Sequence, residues 1–176
     1  ESSIGTVTAT GALLTDRYEH RRSGGRDRYR DFRFDRAAGV LRDVAGDAAE
    51  RALPDGLHDD LTQLEALRAA LRGGARTFEV TALYGGKGRV MQYRYRRRDE
   101  TRHMETPAGG FEVVRVTRTD QRGKERLELW CAPALDYLPV RIERFRKDKF
   151  QAALELTVYR DAVRAHPADA SAPAGP

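Results

Sequence analysis

The residues best suited to chemistry are four histidines and one cysteine, and they are widely spaced along the chain. His58 has neighbouring acids, Asp59 and Asp60, which is a weak metal-ligand signal. Acids at the start of a helix also interact favourably with its positive end, and we favour that interpretation here. Cys131 has no histidine at a spacing typical of an activated thiol, so we expect an inert strand residue. The sequence therefore predicts no catalytic residue, no metal site, no cofactor and no enzymatic activity.

Two glycine-rich segments have the composition of phosphate-binding loops without their spacing. Residues 85–88 read Gly-Gly-Lys-Gly, which lacks the spacing and the strand-to-helix context of a nucleotide-binding loop. Residues 106–110 read Thr-Pro-Ala-Gly-Gly and precede a strand, with no helix to hold a pyrophosphate. Both segments are interpreted as backbone turns.

Basic and aromatic residues alternate in residues 26–34 and 93–98, as they do in platforms for single-stranded nucleic acid. Alternation in a sheet also places Tyr93 and Tyr95 on one face and Arg94 and Arg96 on the other, which needs no ligand. The net charge is +5, with 32 basic and 27 acidic residues, which favours a solvated surface with local ion pairs. Polyanion or nucleic-acid binding is therefore kept as the alternative function, and a nucleic-acid partner is disfavoured.

The length of 176 residues fits one domain, which we place at residues 1–163. Residues 164–176 are rich in Ala and Pro and are predicted to form a disordered tail. The apolar runs are shorter than the roughly 20 residues of a membrane-spanning helix, so no transmembrane segment is expected. The first residues have neither Met nor a signal-peptide pattern, so we expect that a signal peptide has been removed. One cysteine excludes an internal disulfide.

Alternating apolar and polar residues predict a series of β-hairpins with short polar or glycine-rich turns. The clearest strand is residues 150–159, for which we predict one buried face. The predicted pairs are residues 6–21 with 26–35, 78–84 with 90–95, 111–119 with 124–131, and 140–145 with 150–159, and a short strand is added at 40–44.

One segment departs from this pattern, because leucines recur at helical spacing in residues 57–71. We predict a helix near residues 59–72 that ends at Gly73 and Gly74 and buries its leucine stripe. The fold class is mainly β (α+β), a curved antiparallel sheet or half-open barrel of about eight to ten strands with this helix in its concavity. The leucines of the stripe are Leu57, Leu61, Leu64, Leu67 and Leu71.

Three motifs in the second half of the chain resemble a bacterial envelope family of unknown function. They are Glu-Thr-Pro-x-Gly at residues 105–109, Trp-Cys-Ala-Pro at 130–133 and Tyr-Leu-Pro-Val-Arg-Ile at 137–142, and residues 60–62 are similar to the start of the family's helix. The Glu-Thr spacing is tight and Gly110 adds a residue, which are departures from the family pattern. The resemblance covers residues 6–159 approximately.

This resemblance implies a periplasmic domain with a curved sheet around a helix, similar in plan to the Lol lipoprotein carriers. By that analogy we expect a non-enzymatic binding or scaffold domain for an acyl chain, a lipoprotein or an envelope protein. Trp130 would anchor a corner that Pro133 and Pro139 bracket. The candidates to bind a ligand are Trp130 and the residues on the apolar face of the alternating strands. They are Met91, Tyr93, Tyr95, Leu127, Leu129, Leu154, Leu156 and Val158.

Overall fold

The computed structural model describes residues 1–9, 12–24, 28–46, 50–84 and 87–160. Its described residues form eleven strands in two antiparallel sheets, one α-helix and one short 3-10 helix. The predicted mainly β class with a single helix is confirmed. The predicted tail at residues 164–176 lies outside the described residues.

The first sheet is a five-stranded antiparallel meander in which each strand pairs with the next along the chain. Its apolar face is filled by Tyr18, Phe32, Phe34 and Leu41, which are almost fully buried. The predicted pairing of residues 6–21 with 26–35 is confirmed for its second half only, because the first segment divides into two strands. The strands are β1 Ser2–Val7, β2 Leu13–Arg22, β3 Arg28–Asp35, β4 Val40–Asp43 and β5 Arg51–Ala52.

The second sheet has six strands in sequential order, so every connection within it is a hairpin or a short loop. The three hairpins predicted in this half are confirmed, as the pairs Val80 with Tyr93, Val116 with Leu129 and Ile142 with Leu154 show. The strands are β6 Thr77–Tyr84, β7 Arg89–Thr106, β8 Gly109–Asp120, β9 Glu125–Ala132, β10 Leu138–Arg146 and β11 Lys149–Glu155, and the 3-10 helix is Pro133–Leu135.

Strand β7 is much longer than the predicted run at residues 90–95. Its second half is rich in charged residues, so the apolar alternation that marks a strand is lost there. Pairing with β8 holds this half in the sheet, with a register shift between Arg97 and Thr101. Residues 106–109 form the turn between the two strands, as their composition predicted.

The two sheets are separate because residues 53–76 leave the first sheet before β6 begins. Between them, His58 makes one isolated parallel bridge to Ala82, and Leu57 and Leu83 complete the core of the first sheet. The strands therefore form two sheets rather than the one bent sheet that we predicted. Local alternation marks strands, but it carries no information about where pairing is interrupted.

The helix α1 spans Thr62–Arg72 and packs on one face of the six-stranded sheet. Leu67 and Leu71 are buried there against strands β6 to β9. Leu61 is 36% exposed, so the prediction that the whole leucine stripe is buried was wrong at this position. The reason is that Leu61 lies in the turn before the helix and not on its packed face. Gly73 and Gly74 end the helix as predicted.

A buried carboxylate connects the start of α1 to the first sheet. Asp59 is 0% exposed and accepts hydrogen bonds from the Ser3 and Thr15 hydroxyls, each at 2.6 Å. Its other oxygen accepts the backbone N–H groups of Leu61 at 2.7 Å and Thr62 at 2.9 Å. Asp59 therefore supplies the cap that the helix start needs. The interpretation of these acids as a helix entrance is confirmed for Asp59.

Strand β11 differs from its prediction, because every residue of it is exposed. Leu154 is 70% exposed and Phe150 is 58% exposed, and the strand ends at Glu155 rather than near residue 159. The prediction of a buried face at residues 150–159 was therefore wrong. The physical reason is position: β11 is an edge strand, and α1 packs mainly against strands β6 to β9.

Candidate functional site

A groove of about 760 Å³ opens at one end of the six-stranded sheet. Consecutive antiparallel strands reverse direction, so the β6–β7, β8–β9 and β10–β11 turns all lie at the same end of the sheet. These three turns and the short strand β5 of the first sheet border the groove. It therefore lies where the two sheets approach each other.

Close contact between the sheets holds the β6–β7 turn in place. Gly88 has a φ of +59°, and a Cβ there would lie 3.1 Å from the Phe32 ring. The Arg51 guanidinium of β5 also donates a hydrogen bond to the Gly88 carbonyl at 2.6 Å. A residue without a side chain is thus required at this approach.

Five apolar or aromatic residues from both sheets line the groove, and Met91 and Tyr93 are the more buried of its strand β7 residues: the five are Ala52, Tyr84, Val90, Met91 and Tyr93. Met91 is half-buried, and Tyr93 is buried against the helix-side core. Burial raises the pKa of Tyr93 to about 12, so its hydroxyl stays neutral. The Arg118 guanidinium carbon lies 4.1 Å from the centroid of the Tyr93 ring. The groove thus has an apolar floor.

Basic side chains dominate the rest of the lining. Seven basic and two acidic residues line the groove, which is a formal excess of five positive charges. Both acids already have partners: Asp120 accepts the Lys124 backbone N–H at 2.9 Å, and Glu125 accepts the Arg144 guanidinium at 2.9 Å. The basic residues are Arg51, Lys87, Arg89, Arg122, Lys124, Arg146 and Lys147; we call the last six the cationic rim.

The cationic rim is exposed. Within the described residues, Arg89, Arg122, Lys124, Arg146 and Lys147 make no ion pair with an acid. Lys87 lies 6.0 Å from the Tyr84 ring centroid, at the outer limit of a cation–π contact. The rim therefore offers positive charge that the described protein does not neutralise.

The predicted ligand-binding residues divide into groups, and Met91 and Tyr93 line the groove. Tyr95 and Leu129 are fully buried beneath α1, where the Tyr95 hydroxyl donates to the Gln63 side chain at 3.0 Å. Leu127 packs beside them and is half-buried. These three residues form core rather than a ligand surface.

The remaining candidates lie elsewhere on the six-stranded sheet. Trp130 is 8% exposed and points away from α1, because its strand neighbour Leu129 points toward it. The Arg102 guanidinium carbon lies 4.1 Å from the Trp130 ring centroid, and Leu156 packs against the same cluster. Leu154 and Val158 are exposed near the β11 edge. None of these four residues lines the groove.

Sequence reasoning missed the cationic rim, although a signal for it exists. Alternate hairpin turns in a meander share one end of the sheet. The turns near residues 87, 122–124 and 146–149 all carry Lys or Arg. Counting basic residues by sheet end, rather than along the chain, would have found this cluster.

The other side chains that could act as nucleophiles or metal ligands lie in surroundings that favour a structural role. Cys131 is buried in β9, as expected for an inert thiol, and burial raises its pKa to about 12. Among the described residues, no three His, Cys, Asp or Glu side chains converge as metal ligands would. No described helix is long and apolar enough to cross a membrane. His, Cys and Ser are absent from the described groove lining, so its chemistry is charge and apolar contact.

These features define an antiparallel β protein with one packed helix and an open groove that has an apolar floor and a cationic rim. The family model described as "Protein of unknown function (DUF3108)" matches residues 1–157, and the chain belongs to that family. The expected domain-of-unknown-function family is thereby confirmed. Comparison with curated proteins and with solved structures finds no significant match.

Proposed function

We propose that this protein is a non-enzymatic binding domain of the bacterial periplasm that holds an apolar chain in the groove. The observation that carries the proposal is the apolar floor around Met91 and Tyr93 in a groove of about 760 Å³. Sites for small ligands are concave, about 300–1,000 Å³ in volume, and combine apolar side chains with placed polar groups. An acyl chain of a lipid or lipoprotein has the matching chemistry.

The periplasmic part of the proposal rests on the motifs at residues 130–133 and 137–142. These motifs resemble an envelope family, and that resemblance supports the analogy to the Lol lipoprotein carriers. A carrier of that kind needs an apolar surface that is open to solvent on one side. Met91 at the half-buried floor of the groove meets that requirement.

The alternative function, nucleic-acid binding through the arginine and aromatic strands, has less support. A stacking platform needs exposed aromatic faces. Tyr95 is fully buried beneath α1, and Arg94 on the other face pairs with Glu79 at 2.9 Å. Phe32 of the first segment is buried as well.

The proposal is tested with monopalmitoylglycerol, a neutral single-chain lipid, below its critical micelle concentration. Binding is measured by isothermal titration calorimetry for the unmodified protein and for Met91→Lys and Leu154→Lys. Met91→Lys places a charge on the groove floor and should weaken binding by about tenfold, which corresponds to about 1.4 kcal/mol. Leu154→Lys makes a similar change on an exposed apolar residue outside the groove and should alter binding less than twofold.

Circular dichroism spectra of both variants check that the fold is retained. Absence of binding to the unmodified protein contradicts the proposed function. Loss of binding in Leu154→Lys with retention in Met91→Lys also contradicts it, and assigns the apolar ligand to the β11 edge.

A further inference from the structure

We propose that the ligand of the groove is a single anionic lipid whose phosphate headgroup is bound by the cationic rim. This inference rests on the proposed function of the groove and names the class of its ligand. It depends on three observations, namely where the net charge lies, which cations lack partners, and how the charged and apolar linings are arranged.

The net positive charge of the chain is concentrated at the groove. The whole chain has 32 basic and 27 acidic residues, and the groove lining contains seven basic and two acidic residues. The rest of the chain therefore has 25 of each and is formally neutral. A cleft lined by one sign of charge concentrates ligands of the opposite sign.

Many arginines in other parts of the described protein are paired with acids, although Arg96 and Arg98 of β7 are not. Arg17 pairs with Asp31 at 2.8 Å, and Arg30 pairs with Asp43 at 2.7 Å. At the groove, Arg146 lies opposite Lys149 in the β10–β11 pair, and like charges in that position destabilise a hairpin. A bound anion would remove this repulsion, because phosphate accepts charge-assisted hydrogen bonds from Arg and Lys.

The two parts of the lining are arranged as an amphiphile requires. The rim cations are exposed on three turns at the mouth, while Met91 and Tyr93 lie further in against the helix-side core. A headgroup at the rim would leave its acyl chain directed at this floor. Free phosphate would use only the rim, and a neutral lipid would use only the floor.

Three probes separate these possibilities in calorimetric titrations at 50 mM salt. They are palmitoyl lysophosphatidic acid, monopalmitoylglycerol with the same chain and no phosphate, and glycerol 3-phosphate with no chain. We expect the lysophosphatidic acid to bind at least tenfold more tightly than monopalmitoylglycerol and at least a hundredfold more tightly than glycerol 3-phosphate. Its advantage over monopalmitoylglycerol should shrink at 500 mM salt, because salt screens exposed charges.

Each outcome of these titrations bears on one claim. Equal affinity for the two palmitoyl probes overturns the phosphate inference and leaves the apolar groove standing. Glycerol 3-phosphate that binds as tightly as the lysophosphatidic acid assigns the rim to a free phosphate and overturns the lipid inference. Failure of monopalmitoylglycerol to bind, alone or together with the lysophosphatidic acid, contradicts the proposed function itself.

A pair of matched double variants tests the assignment to the rim. Arg122→Gln with Arg146→Gln neutralises two rim cations, and Arg96→Gln with Arg98→Gln neutralises two exposed arginines of β7 outside the groove lining. Both variants change the net charge by the same amount. The rim variant should weaken lysophosphatidic acid binding about tenfold and the β7 variant less than twofold. Equal losses in both would show a general charge effect and overturn the rim assignment.

Discussion

Replacement of Asp59 by alanine should destabilise the protein more than almost any other single change. The carboxylate is fully buried and accepts four hydrogen bonds, from Ser3 in β1, Thr15 in β2, and the backbone N–H groups of Leu61 and Thr62. The Thr62 hydroxyl lies 2.9 Å from Thr15 and accepts the Asp59 N–H, which closes a polar ring. The substitution therefore removes the hydrogen bonds of a buried carboxylate that join β1 and β2 to the helix start.

The magnitude follows from the bonds that are lost. Loss of a helix cap costs about 1 kcal/mol, and a hydrogen bond to a charged group contributes about 1.5–3 kcal/mol. The cap and the two hydroxyl bonds together predict a loss of about 4–7 kcal/mol in the free energy of unfolding. That loss is comparable to the total stability of a marginal domain, about 5 kcal/mol.

The measurement is urea unfolding followed by far-ultraviolet circular dichroism. Asp59→Asn, which keeps one acceptor oxygen, should lose less than Asp59→Ala. As a control, Asp99→Ala removes an exposed partner of Arg76 at 3.2 Å and should change the free energy of unfolding by less than about 0.5 kcal/mol. A loss below about 1 kcal/mol for Asp59→Ala would refute the role of this carboxylate in joining the sheet to the helix.

Other predictions concern buried and titrating side chains. Native Cys131 should react with a thiol reagent at least a hundredfold more slowly than in 6 M guanidinium chloride, since burial raises its pKa to about 12; fast native labelling would contradict this. Titration by nuclear magnetic resonance should place the pKa of His58 below 6.5, because burial disfavours its charged form. It should place the pKa of His103 above 6.5, because Glu105 and then Glu112 accept hydrogen bonds from its ring. The stability supplied by neutral His58 is therefore present above pH 6.5 and lost as the pH falls. The stability supplied by charged His103 is present below pH 6.5 and lost as the pH rises. Titration midpoints in the reverse order would refute both assignments. Trp130→Ala should lower the free energy of unfolding by about 3–5 kcal/mol in urea titrations. Ligand binding in the groove of the folded variant should change less than twofold. A selective loss of binding would contradict the placement of Trp130 outside the groove.

Local patterns were sufficient to predict most hairpins and the helix. The β6–β7, β8–β9 and β10–β11 pairs join neighbours in sequence, so turn composition and alternation determine them. The burial of β11 was not predictable in the same way, because apolar parity does not show whether another element covers a strand. Its apolar residues are exposed because α1 packs against strands β6 to β9 and does not cover β11.

The candidate site was only partly visible from the sequence. Met91 and Tyr93 were identified from their parity, but Tyr95 and Leu129 share that parity and are buried beneath α1. Trp130 has the opposite parity and lies on the other face of the sheet. The distinction depends on where the helix packs, which is a long-range contact.

The sequence by itself determined most of the hairpins, the single helix and the total charge, because these depend on neighbouring residues and composition. Only the tertiary structure decided that the strands divide into two sheets, that α1 covers strands β6 to β9 of one of them, and that β5 approaches the hairpin turns. The groove and its cationic rim arise from that arrangement. Strand reversal brings three distant turns to one end of the sheet, so residues that are scattered along the chain surround a single apolar floor.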